Sequence, residues 1–253
     1  MKRGQTTLFT ILGILLLLGV LLYMASVYAP KPEEEVKKQV TVTAEDQPIK
    51  SFVDSCVLQT ARMALFFFGF VGGDVEPPAY KTFFMYDARY KIPYVYYEGA
   101  TQYVTIDLVE KTLAQYVDAK LKKCTIFSGF SGIQVTDAAP RTKVQLLDNE
   151  VVFSITYPVH IERDGKKNLV GPEWSARIPL RLKEMTEITN RIVERKHQDP
   201  SLIHWDYLTE ITTKNYNATA YTEVNSTIVY RLVDEKNELL GEPYIFQFAV
   251  RIK

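Results

Sequence analysis

The chain has 253 residues, of which 24% are charged and 47% are hydrophobic, and its 30 basic residues balance its 30 acidic ones. A net charge of zero argues against a general nucleic-acid-binding protein, because such proteins usually carry a basic excess. A folded part of about 200 residues is long enough to bury a substantial core without a metal ion or many disulfides.

An apolar segment lies close to the N-terminus. No Lys, Arg, Asp or Glu occurs between Gly4 and Pro30, and the strongest apolar run is 8–28. As a helix, this run spans about 31 Å, which matches a hydrocarbon core of about 30 Å. We therefore predict four segments: a cytoplasmic N-terminus over residues 1–7, a transmembrane helix over 8–28, a linker over 29–47, and an extracellular domain over 48–253.

The charges around the apolar run predict its orientation. Lys2 and Arg3 precede the run, and the positive-inside rule then keeps the N-terminus in the cytoplasm and sends the C-terminal domain out of the cell. A cleaved secretory peptide is the alternative, with residues 24–26 as the cleavage site, but the apolar region of such a peptide usually has only about 7–15 residues. Two prolines and a charge run predict that the linker is extended and solvated.

The start of the chain resembles the class III signal peptides of archaeal pilins and archaellins. The matching residues are Lys2-Arg3-Gly4 followed by Gln5-Thr6-Thr7-Leu8. In that family a peptidase cuts after the glycine, and the apolar stretch stays as an anchor or packs into a filament core. The resemblance implies processing between Gly4 and Gln5. Pilins commonly carry Glu at the fifth mature position, where this chain has Phe9.

Two helices are predicted at the start of the domain. Apolar residues recur at helical spacing over 49–69, with Gly69 as the expected C-terminal cap. Thr105 is placed to cap a second helix over 106–124. Cys56 falls inside the first helix and Cys124 ends the second. Because an even pair of cysteines outside the cell more often forms a disulfide, we predict that Cys56 and Cys124 are bonded.

Many of the chain's 16 tyrosines lie between residues 80 and 103. The stretch 92–97 is predicted to be an edge strand, because Pro93 cannot donate a hydrogen bond to a neighbouring strand. Exposed tyrosines would suit recognition of a partner, whereas tyrosines in a layer folded over the first helix would be structural. The second interpretation is favoured.

The remaining chain has mainly the alternating pattern of β-strands. Strands are predicted over 143–147, 150–162 and 175–182, with a hairpin turn at Asp164-Gly165. A last hairpin is predicted from strands 225–233 and 244–252, joined by a loop at 234–237, with one face of the sheet buried.

Two further helices are predicted between these hairpins. The first covers 183–196, and a shorter one covers 201–211 with Leu202, Trp205 and Leu208 facing inward. The predicted fold class is therefore α+β: an N-terminal transmembrane helix followed by an ectodomain of antiparallel β-hairpins packed with about four helices.

The domain also resembles membrane-anchored surface proteins of small-genome archaea. The residues that carry the resemblance are SFVDSC (51–56), Gly72-Gly73, IPYVYYEG (92–99), the helix end at Cys124, and TYPVHIER (156–163). The resemblance implies a location in the cell envelope and no particular activity.

Candidate site residues are few. Asn217 and Asn225 each begin an Asn-x-Thr sequon for N-glycosylation. The histidines, His160, His197 and His204, lack the spacing of known zinc motifs and are expected to be surface or packed residues. The Gly129–Gly132 stretch lacks the second glycine of a nucleophile elbow. No catalytic residue, metal site or cofactor is predicted.

These patterns favour a membrane-anchored surface protein with a structural, adhesive or binding role, and a pilin-like role is one of these. The alternatives are an anchored extracellular hydrolase and an accessory subunit of an envelope complex. The expected partners are the lipid bilayer and, through the N-terminal helix, other copies of the chain or other envelope proteins. No nucleic acid is expected.

Overall fold

The computed structural model describes residue 19 and residues 46–71, 83–85, 91–222 and 226–252. The predicted processing site at Gly4 and Gln5, the run 8–28 apart from residue 19, and Asn225 lie outside the described residues. The chain divides into two units, Met1–Gln39 and Val40–Lys253, and every described residue except Gly19 belongs to the second unit.

The described part of the second unit has an α+β fold, which confirms the predicted class at this level. Its helices are α1 (Gln47–Phe70), α2 (Ile106–Cys124), α3 (Leu182–Gln198) and α4 (Trp205–Thr212). Its strands are β1 (Phe83–Met85), β2 (Lys91–Tyr97), β3 (Ala100–Thr101), β4 (Gln134–Asp137), β5 (Arg141–Leu146), β6 (Glu150–Arg163), β7 (Lys166–Pro179), β8 (Tyr216–Thr222), β9 (Thr227–Leu239) and β10 (Glu242–Arg251). A short 3-10 helix covers Phe127–Gly129.

The first sheet is mixed rather than purely antiparallel. Its strand order is β1-β2-β10-β9-β8, and β3 also pairs with β2. Strands β2 and β10 run parallel, with Tyr94 opposite Ala249. The prediction of an edge strand at 92–97 is therefore wrong, because β2 has neighbours on both sides. Pro93 is accommodated opposite Phe83 of β1, a strand of only three residues.

The second sheet is built around β6. The strands β4 and β5 pair with different halves of β6, and β7 pairs with it as a hairpin. The turn of that hairpin is Asp164-Gly165, with φ values of 50° and 74°, as the sequence predicts. Both residues are in the left-handed region that such two-residue turns require.

Helix α1 lies between the two sheets, in contact with α2, β7 and β10. Among the described residues it is the one helix long and apolar enough to cross a membrane, and half of it is buried within the folded unit. Val53, Val57, Ala61 and Leu65 on its buried face are fully inaccessible. One face buried in the protein core is the packing of a core helix. Core helices can be as long and as apolar as helices that cross a membrane, so length and hydropathy alone do not distinguish the two.

The last hairpin is longer than predicted, and both of its faces are covered. Strand β9 continues to Leu239, and the turn is Leu240-Gly241, with φ values of 58° and 86°. On β10, Phe246 and Phe248 are buried on one face, while Ala249 is buried on the other against Ile92 and Tyr94. The expectation of one buried face is wrong because residues of β2 form a second, smaller apolar cluster there.

The inward face predicted for α4 is also largely wrong. Trp205 is 56% exposed and Leu202 is 50% exposed, whereas Tyr207, Leu208 and Ile211 are buried. The helix begins at Trp205 rather than at residue 201, so a different set of side chains faces the core.

Candidate binding groove

Successive side chains of β9 point to opposite faces of the first sheet. Tyr230 stacks on Phe248 at a ring distance of 5.2 Å, and both belong to the main core. Since neighbouring strand residues point to opposite faces, Arg231 lies on the other face, together with its paired residue Gln247. We call the face with Tyr230 the inner face and the face with Arg231 the outer face.

An open groove runs along the outer face beside the end of α1. Its volume is about 270 Å³. Helix α1 supplies Phe66 and Phe70, and the last hairpin supplies the rest of the lining: Arg231, Val233, Leu239, Glu242, Pro243, Tyr244 and Ile245. The end of α1 is held there by Gln247, whose Nε2 donates to the carbonyl oxygen of Phe70 at 3.3 Å.

The groove is apolar in the middle and charged at its ends. Phe66 and Phe70 stack at 5.9 Å, and Phe66 is 37% exposed. Arg231 lies opposite Gln247 in the middle of β10, and Glu242 is the first residue of that strand, so the two charges are separated by about 17 Å along the strand. Neither Arg231 nor Glu242 forms an ion pair within the described residues. This arrangement suits an apolar side chain of a binding partner that has charged residues on either side of it.

A buried ionic cluster lies on the inner face of β9. Asp234 is fully inaccessible and accepts hydrogen bonds from the guanidinium of Arg181. The Arg181 side chain also donates to the carbonyl oxygens of Lys214 at 2.9 Å and Asn215 at 3.3 Å, and it lies 4.1 Å from the ring centre of Tyr216. Because Arg181 and Asp234 make their hydrogen bonds within the protein, we interpret the cluster as a structural connection between α3, β8 and β9 and not as a binding site.

Two other polar side chains are deeply buried. The Lys196 ammonium donates to the carbonyl oxygen of Pro200 at 3.1 Å, and burial lowers the pKa of this lysine. The Tyr157 hydroxyl contacts Asp137 and Thr125, and burial raises its pKa. Lys196 and Tyr157 are both inaccessible to solvent, so neither can meet a substrate in this conformation.

The predicted disulfide is present. Cys56 and Cys124 are bonded across 68 residues, with their Cα atoms 5.6 Å apart, and they join α1 to the end of α2. Of the other predicted site residues, Asn217 is the one that the structure describes, and it does not line the groove. Asn217 is exposed on β8. Thr227 of the second sequon is buried, and its hydroxyl lies 2.8 Å from that of Tyr94.

Sequence reasoning did not find the groove, because its lining comes from segments about 170 residues apart. Within the described ranges, no group of three or more His, Cys, Asp or Glu side chains is placed to hold a metal ion. Comparison with known proteins found no matching family, no matching curated protein and no matching solved structure.

Proposed function

We propose that the chain is a membrane-tethered surface protein whose folded unit lies on the oxidising side of the membrane and acts by binding. The observation that carries this proposal is the Cys56–Cys124 disulfide. Disulfides persist in extracellular and periplasmic proteins and are rare in the reducing cytosol. The apolar run 8–28 supplies the tether, and Lys2 and Arg3 before it support a cytoplasmic N-terminus.

The disulfide is well placed to be a lasting structural bond. Its Cα distance of 5.6 Å lies within the usual range of about 4.4–6.8 Å. Cys56 is only 2% exposed, so a reductant has poor access to that sulfur. Both properties favour a bond that forms once during folding and then remains.

The groove supports a binding role. Small-molecule sites usually have volumes of about 300–1,000 Å³ and enclose most of the ligand. This groove is open and slightly smaller, at about 270 Å³. Protein interfaces are enriched in aromatic residues and arginine, and the groove presents Phe66, Phe70 and Arg231 together. We therefore assign the groove to protein–protein contact.

Topology and oxidation test the proposal together. Protease is added to intact cells that produce the full chain, and the surviving fragments and the cysteine state are read by non-reducing mass spectrometry. We expect the protease to digest the folded unit while the cells are intact. We also expect Cys56 and Cys124 to be bonded to each other. A C-terminal unit protected until the cells are opened, or two free thiols, would contradict the proposal.

Cross-linking tests the binding role separately. A photoreactive phenylalanine analogue replaces Phe66 in the groove or, as a control, Ile126, which is 63% exposed and does not line the groove. We expect protein adducts in native membranes from position 66 and not from position 126. Equal adducts from both positions, or none from position 66, would contradict a binding role for the groove.

A further inference from the structure

The described surface carries a second apolar feature, in the connection between α3 and α4. Leu202 is 50% exposed and Trp205 is 56% exposed. Carboxylates flank the pair: Asp199 accepts hydrogen bonds from Ser201, and Asp206 pairs with Arg195 at 3.0 Å while its side chain stays 71% exposed. We call Leu202 and Trp205 the knob.

The knob and the groove lie on opposite sides of the first sheet. Helix α4 starts at Trp205, and its Tyr207 and Leu208 lie with Tyr230 in a small pocket on the inner face. The groove lies on the outer face with Arg231. The sheet separates the two features, so the knob of one molecule cannot enter the groove of that same molecule.

We propose that the knob of one copy of this chain binds the groove of the next. The inference rests on the proposed function, because it names the partner of the same groove. The indole of Trp205 is of a size to enter a groove of about 270 Å³ lined by Phe66, Phe70 and Ile245. Burying an indole that is now 56% exposed removes apolar surface from water.

Charge also matches across this contact. Arg231 at one end of the groove has no ion pair within the described residues. It would meet Asp199 beside the knob, an exposed carboxylate that accepts hydrogen bonds from Ser201, whereas Asp206 is already paired with Arg195. A guanidinium can lie over an indole face or donate to a carboxylate, and both contacts are stronger when water is excluded. Asp206 and Asp199 both have pKa values held below the ordinary range by hydrogen bonds, so both are charged at neutral pH.

A contact between two different surface patches does not close on itself. An isologous dimer uses the same patch on both copies, whereas a knob-to-groove contact leaves one free knob and one free groove at the ends of every assembly. The expected product is therefore a chain of copies, with a length that grows with concentration.

The experiment uses the full chain in detergent micelles and measures particle mass against concentration. We expect the unmodified protein to form a ladder of dimers, trimers and larger species. Trp205→Ala removes the knob, and Arg231→Glu reverses the charge of the groove. Each should weaken assembly by at least about 30-fold, the loss expected when a central aromatic or arginine contact is removed. Ile126→Ala removes an equally exposed apolar side chain elsewhere and should leave the ladder unchanged.

Mixing the two variants tests the head-to-tail geometry. Trp205→Ala keeps an intact groove and Arg231→Glu keeps an intact knob. An equimolar mixture should form dimers with the affinity of the unmodified protein and nothing larger. Retention of the disulfide and of the circular dichroism spectrum shows that both variants fold.

Three results would overturn the inference: an unmodified protein that is monomeric at every concentration, a ladder that neither variant changes, or a mixture that stays monomeric. Each is distinguishable from failure of the proposed function. If the folded unit is extracellular and oxidised, and position 66 forms adducts only with a different protein, then the binding role stands and self-assembly falls.

Discussion

A β-carbon built on Gly69 would lie 2.2 Å from the carbonyl oxygen of Ile245 and 2.7 Å from the hydroxyl oxygen of Tyr244. Real β-carbons do not approach other atoms this closely, so only glycine allows the last turn of α1 to touch the backbone of β10. Gly69 is thus a packing residue inside the helix and not the C-terminal cap that its position in the sequence suggests. The contact also places the neighbouring Phe66 and Phe70 beside the groove.

Gly69→Ala is expected to destabilise the folded unit. The added methyl group must push α1 away from β10, and overpacking of this kind typically costs about 1–3 kcal/mol. Urea unfolding of the full chain measures the change, followed by tryptophan fluorescence, to which the buried Trp174 contributes. Gly129→Ala is the matched control, because nothing lies within 4 Å of a β-carbon at that position. Equal midpoints for the two variants would contradict the packing role.

Breaking the disulfide is expected to cost about 4 kcal/mol. The bond closes a loop between residues 68 positions apart, and the loss of loop-closure entropy from the unfolded chain grows with the logarithm of that separation. The double variant Cys56→Ala, Cys124→Ala should therefore unfold at a markedly lower denaturant concentration. Adding a reductant should lower the midpoint of the unmodified protein but not that of the double variant. A double variant that unfolds at the same denaturant concentration as the unmodified protein would mean that the bond adds no stability.

Features set by neighbouring residues could be predicted from the sequence. The bounds of α2 follow from local signals: the Thr105 side chain accepts from the amide of Leu108 at 3.2 Å, and Lys122 and Lys123 lie at the negative end of the helix dipole. The turn at 164–165 is correct for the same reason. The pairing of Cys56 with Cys124 spans 68 residues, and it could be predicted because the chain has only two cysteines. The helix cap, the turn and the disulfide each depend on a residue type that strongly favours that one structure.

Features set by distant partners could not be predicted. The charged stretch that begins at Asp234 has the composition of a loop, yet Asp234 lies within β9 because Arg181 neutralises it inside the fold. The parallel pairing of β2 with β10 joins segments about 150 residues apart, and no periodicity in either segment reveals it. The groove depends on both the last hairpin and the end of α1, so it appears only when the tertiary structure is known.

Removing one partner of the buried ion pair should destabilise the protein strongly. Arg181→Met leaves the Asp234 carboxyl group inaccessible and without its guanidinium partner, and such losses typically cost about 3–5 kcal/mol. The double change Arg181→Met, Asp234→Leu should recover much of this, since no charge is then left unpaired. Arg177→Ala breaks an exposed pair with Glu150 and should cost less than about 1 kcal/mol. Similar unfolding free energies for Arg181→Met and Arg177→Ala would contradict a structural role for the buried pair.

Buried tyrosines predict a loss of stability in alkali. Complete burial raises the pKa of Tyr244 above its ordinary value of 10.0, and burial also raises the pKa values of Tyr157, Tyr216 and Tyr230. Below pH 10 these groups are protonated in both the folded and the unfolded chain. Above pH 10 the unfolded chain loses these protons and the folded protein keeps them, so the free energy of unfolding falls as pH rises.

Tyr244→Phe isolates one of these groups. At pH 7 and pH 9 the variant should be less stable than the unmodified protein by a constant amount of about 0.5–1.5 kcal/mol, because the hydroxyl no longer donates to the carbonyl oxygen of Leu65 at 3.1 Å. Above pH 10 one fewer proton is linked to unfolding, so stability should fall less steeply, by about 1.4 kcal/mol for each pH unit. Urea midpoints measured at intervals from pH 7 to pH 12 separate the two effects. Parallel curves across that whole range would show that Tyr244 loses its proton equally readily in the folded and unfolded chain, against the expectation from its burial.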